Sequence, residues 1–433
     1  MKSRTIIASL LLGASVASAE VLTFSSAYTL ALEHSNEIKS LEYSAMAEEE
    51  KIDQEKSGYL PQVNLSSYYR KSEYKVNPSK NKIKQGLINY TATLRQSIYN
   101  KEVYSRVDAQ EARSRYSSVR VEKEKEALAQ KVFKSYLDVL KSQNRINLLR
   151  SHLEYTDSRL ADIIARYDIH MANKMDLFGM RVEMASAKIE LDKELKLFKV
   201  YELKLKNYLG DVEYELPNIS SDKILLDVLD QMRAQTLKDA DLDSSLMVKE
   251  YEAAYEISKE DIKSAISLHY PSLNFDASYS YYDTDTPTTD APYDSTSFAM
   301  VSLNIPIYSG GYASSRVESA KLSSKSAFED LEHIKKSVGE SHSEYKATFE
   351  ASATSVEMYK EAIESAKLYL DAMTQGYEHG LKSLIDLNDA KSKLDEVRYK
   401  YIENLYEMVD SYIGILILSN NFDKLDLLDK LVE

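Results

Sequence analysis

Two carboxylates in the last fifth of the chain have the spacing to act together. Asp386 and Asp389 are three positions apart, which places both on one face of a helix. Paired carboxylates can perform acid–base catalysis, or they can attract cations. Acid–base catalysis needs an apolar pocket that raises one of the two pKa values, and nothing around these residues supplies one. The pair therefore favours cation attraction.

The other residue types that perform chemistry are absent or scattered. The chain has no cysteine, and its seven histidines include no H-E-x-x-H motif. It also has no glycine-rich phosphate loop and no nucleophile elbow. We therefore predict that the protein is not an enzyme and holds no cofactor and no metal. Its 69 acidic residues outnumber its 55 basic residues, and the resulting net charge of −14 argues against a nucleic-acid partner.

The elements that must position the two carboxylates are long helices. With 11 glycines and 7 prolines in 433 residues, the chain has few helix breakers. Apolar residues recur at helical spacing through 101–167 and 312–377, and a second helix is predicted after each, at 174–209 and 381–418. A helix of about 65 residues is about 100 Å long and must pair with neighbours as a coiled coil. Each half of the chain thus supplies a helical hairpin.

The two halves are an internal duplication with an offset of 210 residues: Pro61 recurs as Pro271, and Asp176 recurs as Asp386. A period this long indicates a duplicated domain, since solenoid repeats are about 20–50 residues long. Each repeat is predicted to contain a helix, a β-hairpin and a helical hairpin.

Alternating segments follow both prolines and predict β-strands. Leu273, Phe275 and Ala277 alternate with polar residues, and 88–98 and 299–307 show the same pattern. Such alternation over about ten residues, with tyrosines near the ends, is typical of strands that span an outer membrane. Two hairpins give four strands per chain, whereas the smallest membrane barrels have about eight. Either two chains share eight strands or three share twelve, and polar inward faces favour the wider trimer.

The N-terminus has the features of a secretory signal peptide. Lys2 and Arg4 precede a short apolar stretch that ends in Ala17-Ser18-Ala19, which predicts cleavage before Glu20. No later segment approaches 18 consecutive apolar residues, so we expect an exported protein without a membrane-spanning helix. The predicted divisions are a signal peptide at 1–19, a first repeat at 20–219, a second repeat at 220–418 and a C-terminal tail at 419–433.

Three sequence elements together resemble the TolC-type outer-membrane efflux channels. They are the paired strand beginnings at Pro61 and Pro271, the segment Leu303–Gly311, and the motif Tyr377-x-x-Gly380-x-Lys382-Ser383-x-x-Asp386-x-x-Asp389. The second element is similar to the family's strand-to-helix junction, with Pro306, Gly310 and Gly311. The resemblance covers nearly the whole mature chain and implies a mixed α and β membrane protein. In this fold a homotrimer shares a twelve-stranded outer-membrane β-barrel, which continues into a long periplasmic α-helical coiled-coil barrel.

Members of that family are passive exit ducts of tripartite efflux or type I secretion systems in Gram-negative bacteria. The resemblance therefore implies an outer-membrane location, with contact to outer-membrane lipid and most of the mass in the periplasm. It also implies two protein partners. One is a periplasmic adaptor (a membrane fusion protein), and the other is an inner-membrane transporter of the RND, ABC or MFS type, which selects the substrate.

The resemblance also assigns residues to a periplasmic gate. Tyr377, Lys382 and Asp176 match the family's latch between the two hairpins, with lysine where arginine is usual. Lysine cannot make the bidentate contact of arginine with a carboxylate, so we expect a looser latch. Asp386 and Asp389 match the acidic residues at the narrowest point of the duct, where three copies form two stacked, cation-selective rings.

The tips of both hairpins contact the adaptor in the family. The docking candidates that follow are Met171, Ala172, Gly380, Leu381 and Ser383. His170 stands where the second tip has Gly380. A turn that needs positive φ disfavours a side chain, so we expect the first tip to differ in shape from the second.

A soluble periplasmic tether or adaptor built on coiled coils is the alternative function. It explains the signal peptide and the long helices. It does not explain four tyrosine-rich alternating strands at matching positions in the two halves. Whether solubility depends on detergent separates these two hypotheses.

Overall fold

The computed structural model describes residues 20–76, 81–217, 222–236, 241–284, 294–421 and 426–431. The predicted signal peptide at 1–19 lies outside the described residues, as do the predicted boundary between the repeats and parts of the tail. The chain forms two compact units, and each is assembled from segments of both halves of the sequence.

The helices and strands follow the same order in both halves of the described chain. The first half contains β1 (Glu20–Val21), α1 (Phe24–His34), α2 (Asn36–Lys56), β2 (Gln62–Val76), β3 (Asn81–Asn100), α3 (Lys101–Asp168), α4 (Lys174–Leu209) and β4 (Tyr214–Glu215). The second half contains α5 (Asp222–Thr236), α6 (Leu246–Ser267), β5 (Ser272–Thr284), β6 (Ser295–Asn304), α7 (Tyr312–Glu378), α8 (Leu384–Leu418) and α9 (Asp426–Asp429). A helix, a β-hairpin and two long helices therefore occur twice.

One unit, residues 36–124 and 242–339, contains a four-stranded antiparallel sheet in the order β2-β3-β5-β6. Each hairpin pairs within its own half, and β3 pairs with β5 to join the halves, with Tyr90 opposite Tyr281. Arg95 and Asp276 are also opposite each other on these two strands, and the Arg95 guanidinium donates to the Asp276 carboxylate at 2.9 Å. β2 and β6 are the two edges of the sheet in the described chain.

Two strands differ in length from the sequence prediction. β3 begins at Asn81, several residues before the predicted 88, and pairs with β2 from Asn81 to Arg95. β6 ends at Asn304, three residues before the predicted 307. Pro306 explains the early end because proline has no amide hydrogen to donate to a strand ladder.

The other unit, residues 20–35, 125–241 and 340–431, is helical and has an aromatic core. Phe24 of α1 lies against Tyr136 of α3 with ring centroids 4.9 Å apart, and the Tyr136 hydroxyl donates to the carbonyl of Leu22. Phe349 of α7 and Tyr412 of α8 have ring centroids 5.9 Å apart. These contacts join α1 to the middle of α3, and α7 to the C-terminal part of α8.

The C-terminal tail takes part in this helical unit. Leu427, Leu428 and Leu431 are buried. The Asp429 carboxylate accepts a hydrogen bond from the Ser25 amide at 3.2 Å, near the first turn of α1. A carboxylate is favoured at this position because the first amides of a helix have no intrahelical partner.

The long helices match the sequence prediction closely. α3 has 68 residues and α7 has 67, and each ends one residue beyond its predicted end. α8 begins at Leu384 rather than at the predicted 381, since the three preceding residues form the turn and the N-cap. Among the helices of the described residues, none combines the length and the apolar character needed to cross a bilayer.

Candidate functional site

The turns between α3 and α4 and between α7 and α8 each contain one residue at positive φ and share two backbone hydrogen bonds. His170 has φ 61° and Gly380 has φ 71°. Their amides donate to the carbonyls of Tyr167 and Tyr377, each at 3.0 Å. The next amide in each turn donates five residues back, at 2.7 Å in the first turn and 2.8 Å in the second. The expectation that the two tips differ in shape is therefore wrong: His170 adopts the left-handed conformation that Gly380 adopts at lower cost.

Both second helices begin at a capped N-terminus. The Asn173 side chain accepts from the amide of Asp176 at 2.8 Å, and the Ser383 hydroxyl accepts from the amide of Asp386 at 3.1 Å. The Asp386 carboxylate in turn accepts from the Ser383 amide at 3.0 Å and from its hydroxyl at 2.8 Å, which completes a capping box. These hydrogen bonds lower the pKa of Asp386. Asp386 is therefore held ionised and in a fixed position.

Asp386 and Asp389 lie in the first two turns of α8, close to its positive end. Asp389 is exposed and Asp386 is partly exposed. Neither carboxylate makes an ion pair with any residue that the structure describes. The helix N-terminus stabilises negative charge here. The first turns of α8 thus present two carboxylates that make no ion pair within the described chain, although the nearby Lys382 also helps to lower the pKa of Asp386.

A small apolar cluster, the tip cluster, joins the two hairpins beside these acids. Its buried members come from three helices: Ile163 of α3, Leu177 and Met180 of α4, and Leu384 of α8. Leu160, Tyr167, Ala172 and Tyr377 pack around it and are partly buried. Since Leu384 is its only buried member from the second hairpin among the described residues, Leu384 carries much of the contact between the tips.

Of the three residues predicted to form a latch, Tyr377 packs against this cluster, and no bond joins the three to each other in the described part of the chain. The Arg166 guanidinium lies 5.4 Å from the ring centre of Tyr377 and pairs with Asp162 at 3.1 Å. Burial raises the pKa of Tyr377; Arg166 lowers it, and Asp162 and Asp176 raise it. Over the described ranges, neither Tyr377 nor Lys382 makes a hydrogen bond or an ion pair with Asp176.

The predicted docking residues fall into two groups. Met171 and Leu381 are the most exposed of them, at 72% and 80%. Gly380 forms the turn, Ser383 caps α8, and Ala172 packs against the tip cluster. Of the five, Met171 and Leu381 expose apolar side chains, whereas Gly380 and Ser383 shape the second turn and Ala172 packs inward.

The predicted strand-to-helix junction lies in the sheet unit, between β6 and α7. Gly310 and Gly311 have φ 62° and 84°, a conformation that residues with a side chain rarely adopt. The chain then starts α7, where the Tyr312 amide donates to the carbonyl of Ser309 at 3.2 Å. Pro306 lies just beyond the end of β6, so the junction consists of a strand stop followed by two left-handed glycines.

Comparison with known proteins identifies the family. The model of the family described as "Outer membrane efflux protein" matches residues 27–211 and 239–420, which together cover most of the chain. The chain belongs to the outer membrane efflux protein family. The efflux protein is 23% identical to the outer membrane protein TolC of Vibrio cholerae over 393 residues, which are 88% of each chain. It is 25% identical to TolC of Escherichia coli over 392 residues, covering 85% of this chain and 77% of that one.

Solved structures of outer-membrane channels have a similar fold. The crystal structure of the channel CusC superposes with a TM-score of 0.81 at 14% identity, and the match covers 92% of both chains. The predicted family membership and the predicted outer-membrane location are confirmed. The outer-membrane location argues against the soluble tether.

The sequence prediction missed the tip cluster and the capping residues. A signal for the caps was present, because Asn173 and Ser383 are 210 residues apart and occupy the same place in the two repeats. Both are residue types that favour the N-cap. The tip cluster had no comparable signal, since its apolar residues look like any helical seam until the pairing of the hairpins is known.

Proposed function

We propose that this outer-membrane efflux protein is the exit duct of a tripartite efflux or type I secretion system. It conducts substrates passively from a periplasmic adaptor and an inner-membrane transporter of the RND, ABC or MFS type to the exterior. The observation that carries the proposal is the meeting of the two hairpin tips at one apolar cluster, near two carboxylates that make no ion pair within the described chain. Such an arrangement can close around a narrow passage and attract cations to it.

A shared barrel of three chains completes the sheet. Four strands are too few to close a barrel, and β2 and β6 offer unpaired edges in the described chain. Apolar side chains on both edge strands are exposed in the single chain, among them Val63 and Leu65 of β2 and Val301 and Leu303 of β6. Three copies that join edge to edge give twelve strands and turn this alternating apolar face towards outer-membrane lipid.

The helical hairpins also need neighbours. Met175, Phe178, Val182 and Ile189 are exposed along α4 at helical spacing. In a trimer this stripe packs against helices of another copy, as the seam of a coiled coil does. The trimer therefore continues from a β-barrel into an α-helical barrel.

The gate closes between neighbouring copies. Tyr377, Lys382 and Asp176 match the latch of the family, but in the described part of one chain neither Tyr377 nor Lys382 is bonded to Asp176. The latch therefore forms with Asp176 of an adjacent copy. Asp386 and Asp389 then form two stacked acidic rings at the narrowest point. The exposed Met171 and Leu381 offer the adaptor an apolar contact at the tips.

Single-channel recording tests the duct. The purified mature protein is reconstituted in a planar bilayer with asymmetric salt on the two sides. Small, cation-selective current steps are expected from a nearly closed duct with acidic rings. Absence of current, together with solubility that needs no detergent, would refute the proposal.

A further inference from the structure

A cluster of half-buried charged groups around the buried Lys391 links α3, α4 and α8 away from the tips. The His152 ring on α3 has Nδ1 2.7 Å from an Asp395 oxygen on α8 and Nε2 3.5 Å from a Glu183 oxygen on α4. The other Asp395 oxygen accepts from the Lys391 ammonium at 2.6 Å. Asp395 is 12 positions beyond Ser383, or about 18 Å along α8. One carboxylate thus holds an imidazole of the first hairpin and an ammonium of the second.

These charges are part of the packed interior of the hairpins. Lys391 is only 6% exposed, and its ammonium lies 5.2 Å from the ring centre of Tyr155 on α3. A buried ammonium is tolerated when it is paired, and removing its partner is costly. Separating α8 from α3 would therefore take Lys391 from the Tyr155 ring and His152 from Asp395 together.

The protonation state of His152 decides how many helices the cluster joins. Neutral imidazole has one N–H donor, so it can donate to Asp395 or to Glu183 but not to both. Imidazolium has two donors and can bond both carboxylates, which links α3 to α8 and to α4. The hydrogen bond with Asp395 raises the pKa of His152 above its ordinary value of 6.5, although burial lowers it. Hydrogen bonds from His152 and Lys391 lower the pKa of Asp395, against the effect of burial.

Other charged groups border this cluster on a cleft of about 300 Å³ between the same three helices. Besides Glu183 and Asp395 themselves, the cleft is lined by Arg145 of α3, Glu190 of α4 and Glu396 of α8, and by the phenol of Tyr399 of α8. Lys391, on the same carboxylate, lowers the pKa of His152, whereas Asp395 and Glu183 raise it, and the pKa is raised overall.

We propose that His152, Asp395 and Lys391 form a pH-dependent tie between the two hairpins, which restrains the opening of the gate. The tie rests on the proposed duct function and deepens it, because α8 carries the acidic residues of the gate at its first turns. A group whose pKa is raised in the folded protein stabilises it fully at pH values below the ordinary pKa. That stabilisation is lost as the pH rises through the raised pKa. The tie is therefore strongest in acid, and the duct is most restrained there.

Resting conductance at two pH values tests the restraint. We expect the conductance of the wild-type channel to be several-fold lower at about pH 5.5 than at about pH 8. Each unit by which the pKa of His152 is raised corresponds to a tenfold change in the equilibrium between the tied and the untied hairpins. The H152Q variant cannot become charged and should lose this dependence, with a conductance near the wild-type value at the higher pH. The matched control is H333Q, which replaces an exposed histidine of α7 and should keep the wild-type ratio. An H152Q channel that keeps the wild-type ratio would overturn the proposal.

A titration separates failure of the tie from failure of the duct. NMR of the imidazole protons of the full-length protein in detergent reports the pKa of His152 whether or not the channel conducts. We expect a midpoint above 6.5 in the wild type and a lower midpoint in D395N. E183Q, which removes a partly exposed acceptor and leaves Lys391 paired, should also lower the midpoint and serves if D395N does not fold. A wild-type midpoint at or below 6.5 would overturn the tie even in a conducting channel, whereas a wild type that gives no current and is soluble without detergent would overturn the duct instead.

Discussion

Replacing Leu384 with alanine should open the gate at rest. Leu384 is 7% exposed and packs with Ile163, Leu177 and Met180, which all belong to the first hairpin. Leucine-to-alanine changes in a core cost about 2–5 kcal/mol, and a site at a turn collapses more readily than a deep core, so we expect about 2 kcal/mol. The loss falls on the closed arrangement, because that is where the two tips meet. At about 1.4 kcal/mol for each tenfold change, the open population should rise about 30-fold.

The chain offers a matched control three residues away. Leu381 is on the same tip with the same side chain but is 80% exposed. Leu381→Ala should change stability by less than about 0.5 kcal/mol and leave the resting conductance unchanged. The measurement is the frequency and duration of large current steps in a planar bilayer for the two variants and the wild type. Equal currents from all three, or equal increases in both variants, would refute the assignment of the tip cluster to the gate.

Three further predictions concern the tips. Replacing both Asp386 and Asp389 with asparagine should move the reversal potential in asymmetric salt towards zero, and an unchanged potential would contradict the acidic rings. Replacing Tyr377 and Lys382 together with alanine should raise the resting conductance, and no rise would contradict the latch. His170→Gly should stabilise the first turn by about 0.5–1 kcal/mol, because the relief of left-handed strain, about 1–2 kcal/mol, exceeds the entropic cost of glycine. Thermal unfolding measures this change, and a lower midpoint than that of the wild type would contradict it.

The long helices were predictable because their ends have local causes. α3 and α7 contain no proline, and each ends where the backbone turns at His170 or Gly380. A stretch without breakers that carries helical periodicity leaves few alternatives. The two predicted ends were therefore correct to within one residue.

The shape of the first tip was not predictable from residue type alone. Histidine tolerates the left-handed region better than most side chains, and the helix end supplies two backbone hydrogen bonds that favour the turn. The N-cap at Asn173 then fixes the start of the next helix. Together these local bonds outweigh the strain at His170.

The contacts between the hairpins could not be predicted from the sequence, for a different reason. His152 and Asp395 are 243 positions apart, and each reads as an ordinary polar residue on a helix surface. Their pairing depends on which faces of α3 and α8 pack together, and the helical period leaves several faces open. The packing of the C-terminal tail on α1 could not be predicted for the same reason.

Asp386 shows why the choice of substitution matters at the gate. Its carboxylate accepts the amide and the hydroxyl of Ser383, so the same group caps α8 and supplies charge. Alanine would remove both functions, and a change in conductance could then come from a frayed α8 rather than from a missing charge. Asparagine keeps an oxygen that can accept from Ser383 and removes the charge. A variant that retains the wild-type unfolding midpoint but loses cation preference would therefore assign the selectivity to the charge itself.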